Sequence, residues 1–234
     1  MEKFKKYMIF ILLFIIIIVT GILYHETVRF VFLPVSNKVI VIDAGHGGTD
    51  PGKVGKGGIE EDELNLKIAK KLKSLIEQSG GIAIMIREED VGLYSDGNKS
   101  FNEKKVEDLK NRVKIANESD ADIFVSIHLN SFPQPIYWGA QTFYKEGSEE
   151  GKKLAELIQN ELIKVLNPEN TRQALSSKNY YLLNNVKIPA SVIVEGGFLS
   201  NEMEARLLQD DVYQEKIAWA IFIGIMRYID ESSR

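Results

Sequence analysis

The sequence predicts an α/β fold: a single domain with a mostly parallel, twisted sheet flanked by helices, preceded by one N-terminal transmembrane helix. Three observations predict it. From Lys38 onward, short apolar runs alternate with longer segments of helical period. Three of those runs lead into a His or Glu beside glycine or a polar turn, where open α/β sheets bind their ligands. Ahead of them, no charged residue interrupts Tyr7 to Tyr24.

As a helix, residues 7–24 rise roughly 27 Å, close to the thickness of a bilayer core. Lys3, Lys5 and Lys6 precede the run, so residues 1–6 are expected in the cytoplasm and the rest outside. A cleaved signal peptide is the alternative, with Val19 and Gly21 as the small residues before the cut. The run exceeds the usual ~7–15 residue apolar core of such peptides, which favours an uncleaved anchor. Residues 25–37 then form a tether with Pro34, and 38–234 the folded domain.

Val39–Ile42 is a buried strand followed by a Gly-rich loop. Leu64, Ile68, Leu72, Leu75 and Ile76 share one helical face, and Gly80-Gly81 ends that helix. Ile82–Ile86 is a second strand. Val106, Leu109, Val113 and Ala116 mark an amphipathic helix, followed by the strand Ile123–Ile127. A further strand, at a sheet edge, is expected over Gly139–Tyr144. Leu154, Leu157, Ile158, Leu162 and Val165 form another helix, stopped near Asn167-Pro168. Val192–Val194 is the last strand, and helices near Glu202–Leu208 and Tyr213–Ile229 complete the chain.

Composition limits the chemistry. Of 234 residues, 44% are apolar and 26% charged, the balance of a globular chain. Beyond residue 34 there are 25 basic and 31 acidic side chains, a net charge of −6. Binding to nucleic acid or an anionic membrane through a basic surface is therefore disfavoured. With no cysteine, a metal site must use His, Asp and Glu.

Three strand ends supply such groups: Asp43-Ala44-Gly45-His46-Gly47-Gly48, His128, and Glu195-Gly196-Gly197. The chain has three histidines, and apart from His25 both lie at strand ends. A lone histidine is more often structural; two, with a third strand ending in Glu, point to a site. The acidic run Glu60-Glu61-Asp62-Glu63 precedes a helix, where most carboxylates serve the helix dipole, but one is free to turn inward. Two imidazoles and one carboxylate leave an open fourth position on Zn²⁺, and Glu195 is then available to take a proton. Asn130 and the backbone N–H groups near Gly196 are weaker candidates for substrate contacts, with Tyr137, Trp138, Tyr180 and Tyr181 as groove-lining aromatics. The segment Gly47–Val54 nearly spells a phosphate-binding loop, but Val54 replaces the required Ser/Thr and no helix follows. An Fe(II) triad would leave Glu195 without a role. Neither Gly-x-Ser-x-Gly nor His-Glu-x-x-His occurs.

Four motifs then resemble a known family. Ile42-Asp43-Ala44-Gly45-His46-Gly47-Gly48, Glu61-Asp62-Glu63-Leu64-Asn65-Leu66, Ser126-Ile127-His128-Leu129-Asn130-Ser131 and Val194-Glu195-Gly196-Gly197-Phe198-Leu199-Ser200-Asn201 are similar to those of the zinc-dependent N-acetylmuramoyl-L-alanine amidases. The resemblance covers residues 38–230. It implies that His46, Glu61 and His128 hold zinc and that Glu195 is the catalytic carboxylate; Glu60 is the fallback for Glu61. Lys105–Val113 and Trp138–Tyr144 extend the resemblance to membrane-anchored amidases of spore-forming bacteria that act on cortex peptidoglycan and allow muramic lactam to form. It further implies a catalytic domain facing the forespore intermembrane space and an activating lipoprotein partner. A vegetative amidase for cell separation or lysis and a non-catalytic wall-binding module are the rival readings.

Overall fold

The computed structural model describes residues 2–31, 34–95 and 97–233. The chain divides into two compact units, parted after Pro34. The first is the helix α1 (Glu2–Val31), in which Phe4–Leu23 is long and apolar enough to cross a membrane. Nothing between Gly21 and Pro34 breaks a helix, so residues 25–31 of the expected tether are helical.

The second unit carries β1 (Val39–Ala44), a small hairpin β2 (Val54–Gly55) and β3 (Ile59–Glu60), α2 (Glu61–Gln78), β4 (Ile82–Met85), α3 (Phe101–Asn117) and β5 (Ile123–Asn130). There follow β6 (Gln141–Lys145), α4 (Glu149–Leu166), β7 (Leu175–Ser177), α5 (Tyr181–Asn185), β8 (Ala190–Phe198), α6 (Glu202–Leu208) and α7 (Asp211–Ser232). Local chemistry sets the helix starts. Ser100 and Glu103 form a reciprocal capping box on α3, while Ser148, Asn201 and Asp210 cap α4, α6 and α7.

The main sheet has the order β4-β1-β5-β8-β6-β7. The strands β4, β1, β5 and β8 run parallel, β6 pairs antiparallel to β8, and β7 pairs parallel to β6. Side chains alternate between the two faces. Ile40, Ile42, Ile123, Val125, Ile127, Val192 and Val194 join the large core with α2, α4 and α7; Val41 and Phe124 join a smaller one with α3 and α5. The same alternation puts Asp43, Ser126, His128 and Glu195 on the α3/α5 face. The fold thus gathers the polar side chains of three strands on one side.

Several expectations are corrected. Pairing continues past the predicted strand ends, to Asn130 in β5 and Phe198 in β8, so His128 and Glu195 sit within strands and are register partners. The strand at Gly139–Tyr144 is not an edge: it spans Gln141–Lys145 and β7 covers it. The elements β2, β3, β7 and α5 went unpredicted, being too short to show a period.

Helices α4 and α7 touch closely at Gly224, where a Cβ would lie 2.6 Å from Ile158 Cγ1 and 2.7 Å from its Cα. Backbone cannot yield as a side chain can. Gly224→Ala is therefore expected to destabilise the domain by ~1–3 kcal/mol in urea unfolding, outweighing alanine's better helix propensity of about 1 kcal/mol. Unchanged or raised stability would show that the two helices separate freely.

Candidate metal centre

The end of β1 is held from several sides. Gly45 N–H donates to Ile127 O at 3.0 Å, extending the sheet by one bond. A Cβ on Gly45 would fall 2.2–2.6 Å from ring atoms of His128, so only glycine lets that imidazole lie against the backbone. Next, His46 adopts φ 62°, a left-handed conformation uncommon for a residue with a side chain. Two buried guanidinium groups stabilise this turn. Arg112 donates to Ala44 O (2.8 Å), His46 O (2.6 Å) and the carboxylate of Asp43 (2.6 Å); Arg87 donates to Ala44 O (2.8 Å) and Gly45 O (3.0 Å). Ser126 Oγ donates to the other Asp43 oxygen at 2.6 Å. Buried as it is, Asp43 remains ionised, because Arg112 and Ser126 outweigh the desolvation that opposes its charge.

Glu61 opens α2 and is buried at 2% exposure, whereas Glu60 faces solvent. A loop-to-helix clasp turns it inward: Glu61 N–H donates to Lys53 O at 3.0 Å and Lys53 N–H to Glu61 Oε2 at 2.9 Å. Its other oxygen, Oε1, accepts from Leu129 N–H (3.1 Å) and Asn65 Nδ2 (3.3 Å). Both imidazoles converge on that same atom, His128 Nδ1 at 3.1 Å and His46 Nε2 at 3.4 Å. The rings meet edge to face, 5.0 Å between centroids.

Burial alone would raise the carboxyl pKa of Glu61, but the adjacent imidazoles override it and hold the group well below the usual carboxylate range. Burial likewise opposes the imidazolium of His46. Asp50, whose Oδ2 lies 3.0 Å from His46 Nδ1, and Glu61 prevail and raise His46 to about 9. Sequence reasoning missed Asp50. Its only sign was an acid four residues after His46 in a Gly-rich loop.

Glu195 has the opposite environment. It is 8% exposed and its Oε1 accepts one bond, from Tyr180 O–H at 3.2 Å; Oε2 is buried with no partner among the described residues. Burial pushes its carboxyl pKa up, with the negative Glu61 adding to the rise. Of the other residues singled out by sequence, Asn130 turns its Oδ1 to Ser131 N–H at 2.8 Å, and Gly196 faces Leu129 and Ile217 on the opposite side of the sheet. Tyr137 and Trp138 lie in the exposed 132–138 segment, and Tyr181 is exposed on α5.

One donor atom each from His46, Glu61 and His128 lies within 4.8 Å of the others, a separation one metal ion can bridge. The donor types fit a divalent metal, and His46 presents its second nitrogen to Asp50, the outer carboxylate that orients such imidazoles. Two imidazoles and a carboxylate at the carboxyl end of the parallel strands, with a second carboxylate buried beside them, form a donor set that could hold one metal ion, of the kind metal-dependent hydrolases use. The family profile for N-acetylmuramoyl-L-alanine amidase, type 3, matches residues 40–227, and the chain belongs to that family. It is 44% identical over 200 residues to the germination-specific N-acetylmuramoyl-L-alanine amidase of Bacillus subtilis, covering 85% of this chain and 83% of that one. Identity to the LytC amidase of the same organism is 34%, over 83% of this chain and 36% of that one. The fold is similar to the CwlD amidase from Clostridioides difficile, solved in complex with the GerS lipoprotein, with TM-score 0.81 and 50% identity over 83% of this chain and all of that one. The chain is accordingly a hydrolase of peptidoglycan.

The raised His46 sets a pH dependence. Its contribution to stability is complete below the unfolded value of 6.5 and is lost as pH rises through about 9. Metal-free protein is expected to lose on the order of 3 kcal/mol of unfolding free energy across that window. Metal binding tightens over the same range as the competing proton leaves. His46→Asn should flatten the slope; a native protein already flat between these pH values contradicts the assignment.

Proposed function

We propose that the chain is a zinc-dependent amidase of spore cortex, in which His46, Glu61 and His128 hold the zinc and Glu195 moves the proton. The observation that carries this reading is the contrast between two buried carboxylates: Glu61 saturated by imidazoles and N–H donors, Glu195 left with a free buried oxygen. Zinc bound by the three supplies Lewis-acid polarisation and brings the pKa of water down to about 7. Water adds to the lactyl carbonyl of N-acetylmuramic acid, and the C–N bond to L-alanine breaks. Glu195 takes the proton from that water and delivers it to the departing amine. A carboxyl group with a raised pKa suits both halves of this task.

The cortex role, with trimming of stem peptides that allows muramic lactam to form, is supported by the similarity to the germination-specific amidase. An anchor at residues 7–24, with 38–234 outside the membrane, is supported by the apolar span of α1 and the three lysines before it. A lipoprotein partner on the same membrane face is supported by the lipoprotein in the CwlD complex.

Two variants test the assignment of roles. His128→Ala is expected to lose both zinc, by elemental analysis, and turnover, by mass spectrometry of released muropeptides. Glu195→Gln is expected to keep zinc while the rate falls by ~10²–10⁴. Zinc lost from the Glu195 variant, or retained with full turnover in the His128 variant, overturns it. Spores without the chain should lack muramic lactam, and normal lactam content contradicts the cortex role.

A further inference from the structure

Tyr180 stands immediately before α5, at the end of the polar segment that follows β7. Three contacts fix it. Its carbonyl accepts from Asn184 N–H at 3.2 Å, and Asn184 Nδ2 donates to Lys178 O at 2.7 Å, closing the turn on both sides of the ring. The ring packs on Phe143 of β6, 5.3 Å between centroids. From there its hydroxyl donates to Glu195 Oε1 at 3.2 Å.

A carboxylate has two oxygens, and a proton acceptor is efficient when a defined one faces the reacting water. At Glu195 the two are unequal: Oε1 is occupied by Tyr180, while Oε2 is buried and has no hydrogen-bond partner among the described residues. We propose that Tyr180 is a positioning residue of the amidase, which ties down one oxygen of Glu195 and so presents the other to the reaction. This rests on the reading of Glu195 as the proton carrier. The type of donor matters. A lysine or arginine in the same place would hold the carboxylate equally well but strip its basicity, as the imidazoles do to Glu61. A neutral phenol orients it and leaves it a base. Burial and the charge of Glu195 both push the Tyr180 hydroxyl further from ionisation, so it stays a donor wherever the enzyme works.

The test uses the full zinc-loaded chain and four proteins: native, Y180F, E195Q and the double variant. Phenylalanine retains the ring on Phe143 and removes only the O–H. In the native background Y180F is expected to lower kcat about tenfold, the loss of one hydrogen bond to a charged group, with KM within about twofold and zinc content unchanged. In the E195Q background, where no base remains to be oriented, the same substitution should change the residual rate by less than about twofold. An unchanged kcat for Y180F overturns the proposal even if E195Q is inactive as expected. An equal fall in both backgrounds makes Tyr180 act independently of Glu195, and loss of zinc or of the melting transition makes it structural; either result also overturns it. Full activity in E195Q would instead refute the assignment of Glu195 itself.

Discussion

Arg112, fully buried, holds the backbone at the end of β1, and the rest of the site follows from that. Its guanidinium meets two backbone carbonyls on either side of Gly45, Ala44 O and His46 O, and the carboxylate of Asp43, while Asp108 accepts from its Nε at 2.5 Å. Arg87 adds a second cation on the neighbouring carbonyls, so two like charges share one small volume. Burial and the proximity of Arg112 both disfavour the charge on Arg87, and Asp43, Asp62 and Asp90 offset them only in part. An arrangement of this kind adds little net stability, yet loss of one partner costs about 3–5 kcal/mol by stranding a buried charge. What it secures is geometry: the left-handed backbone at His46, and hence the direction in which that imidazole points.

Around this frame the protein holds two carboxylates whose pKa values are shifted in opposite directions. Glu61 receives two backbone N–H groups, an amide and two imidazoles, and is a permanent anion. Glu195, on β8, receives a single phenol among the described residues, and burial pushes its pKa up. Environments that push paired acids apart suit them to different tasks, as the proposed roles of ligand and base require, and here both environments arise from the pairing of β5 with β8 and the clasp at the start of α2.

Much of this was legible in sequence. The strands β1, β5 and β8 are continuous apolar runs, as strands buried on both faces must be, and the glycines around His46 marked a tight approach. The choice of Glu61 over Glu60 came from motif resemblance, since spacing could not tell which side chain turns inward; in the fold, bonds to Lys53 turn Glu61 inward. Arg112 looked like one more polar residue on an amphipathic helix, because a side chain that satisfies backbone carbonyls sixty-odd residues away leaves no periodic trace. Asp50 was hidden similarly, brought back to His46 by the tight Gly47–Asp50 turn; Tyr180 was read as a groove-lining aromatic, and its bond to Glu195 was hidden because β7 and α5, which place it, are too short to predict. Periodicity reports what packs; it is silent on which polar atoms meet.

The account stands or falls on which carboxylate binds the metal. Anomalous diffraction at the zinc absorption edge, from crystals of the zinc-loaded protein, reads that directly. One peak contacting His46, Glu61 and His128, with Glu195 not coordinated, is the predicted result. A peak held by Glu195, or by His46 and Asp50 without Glu61, would contradict it.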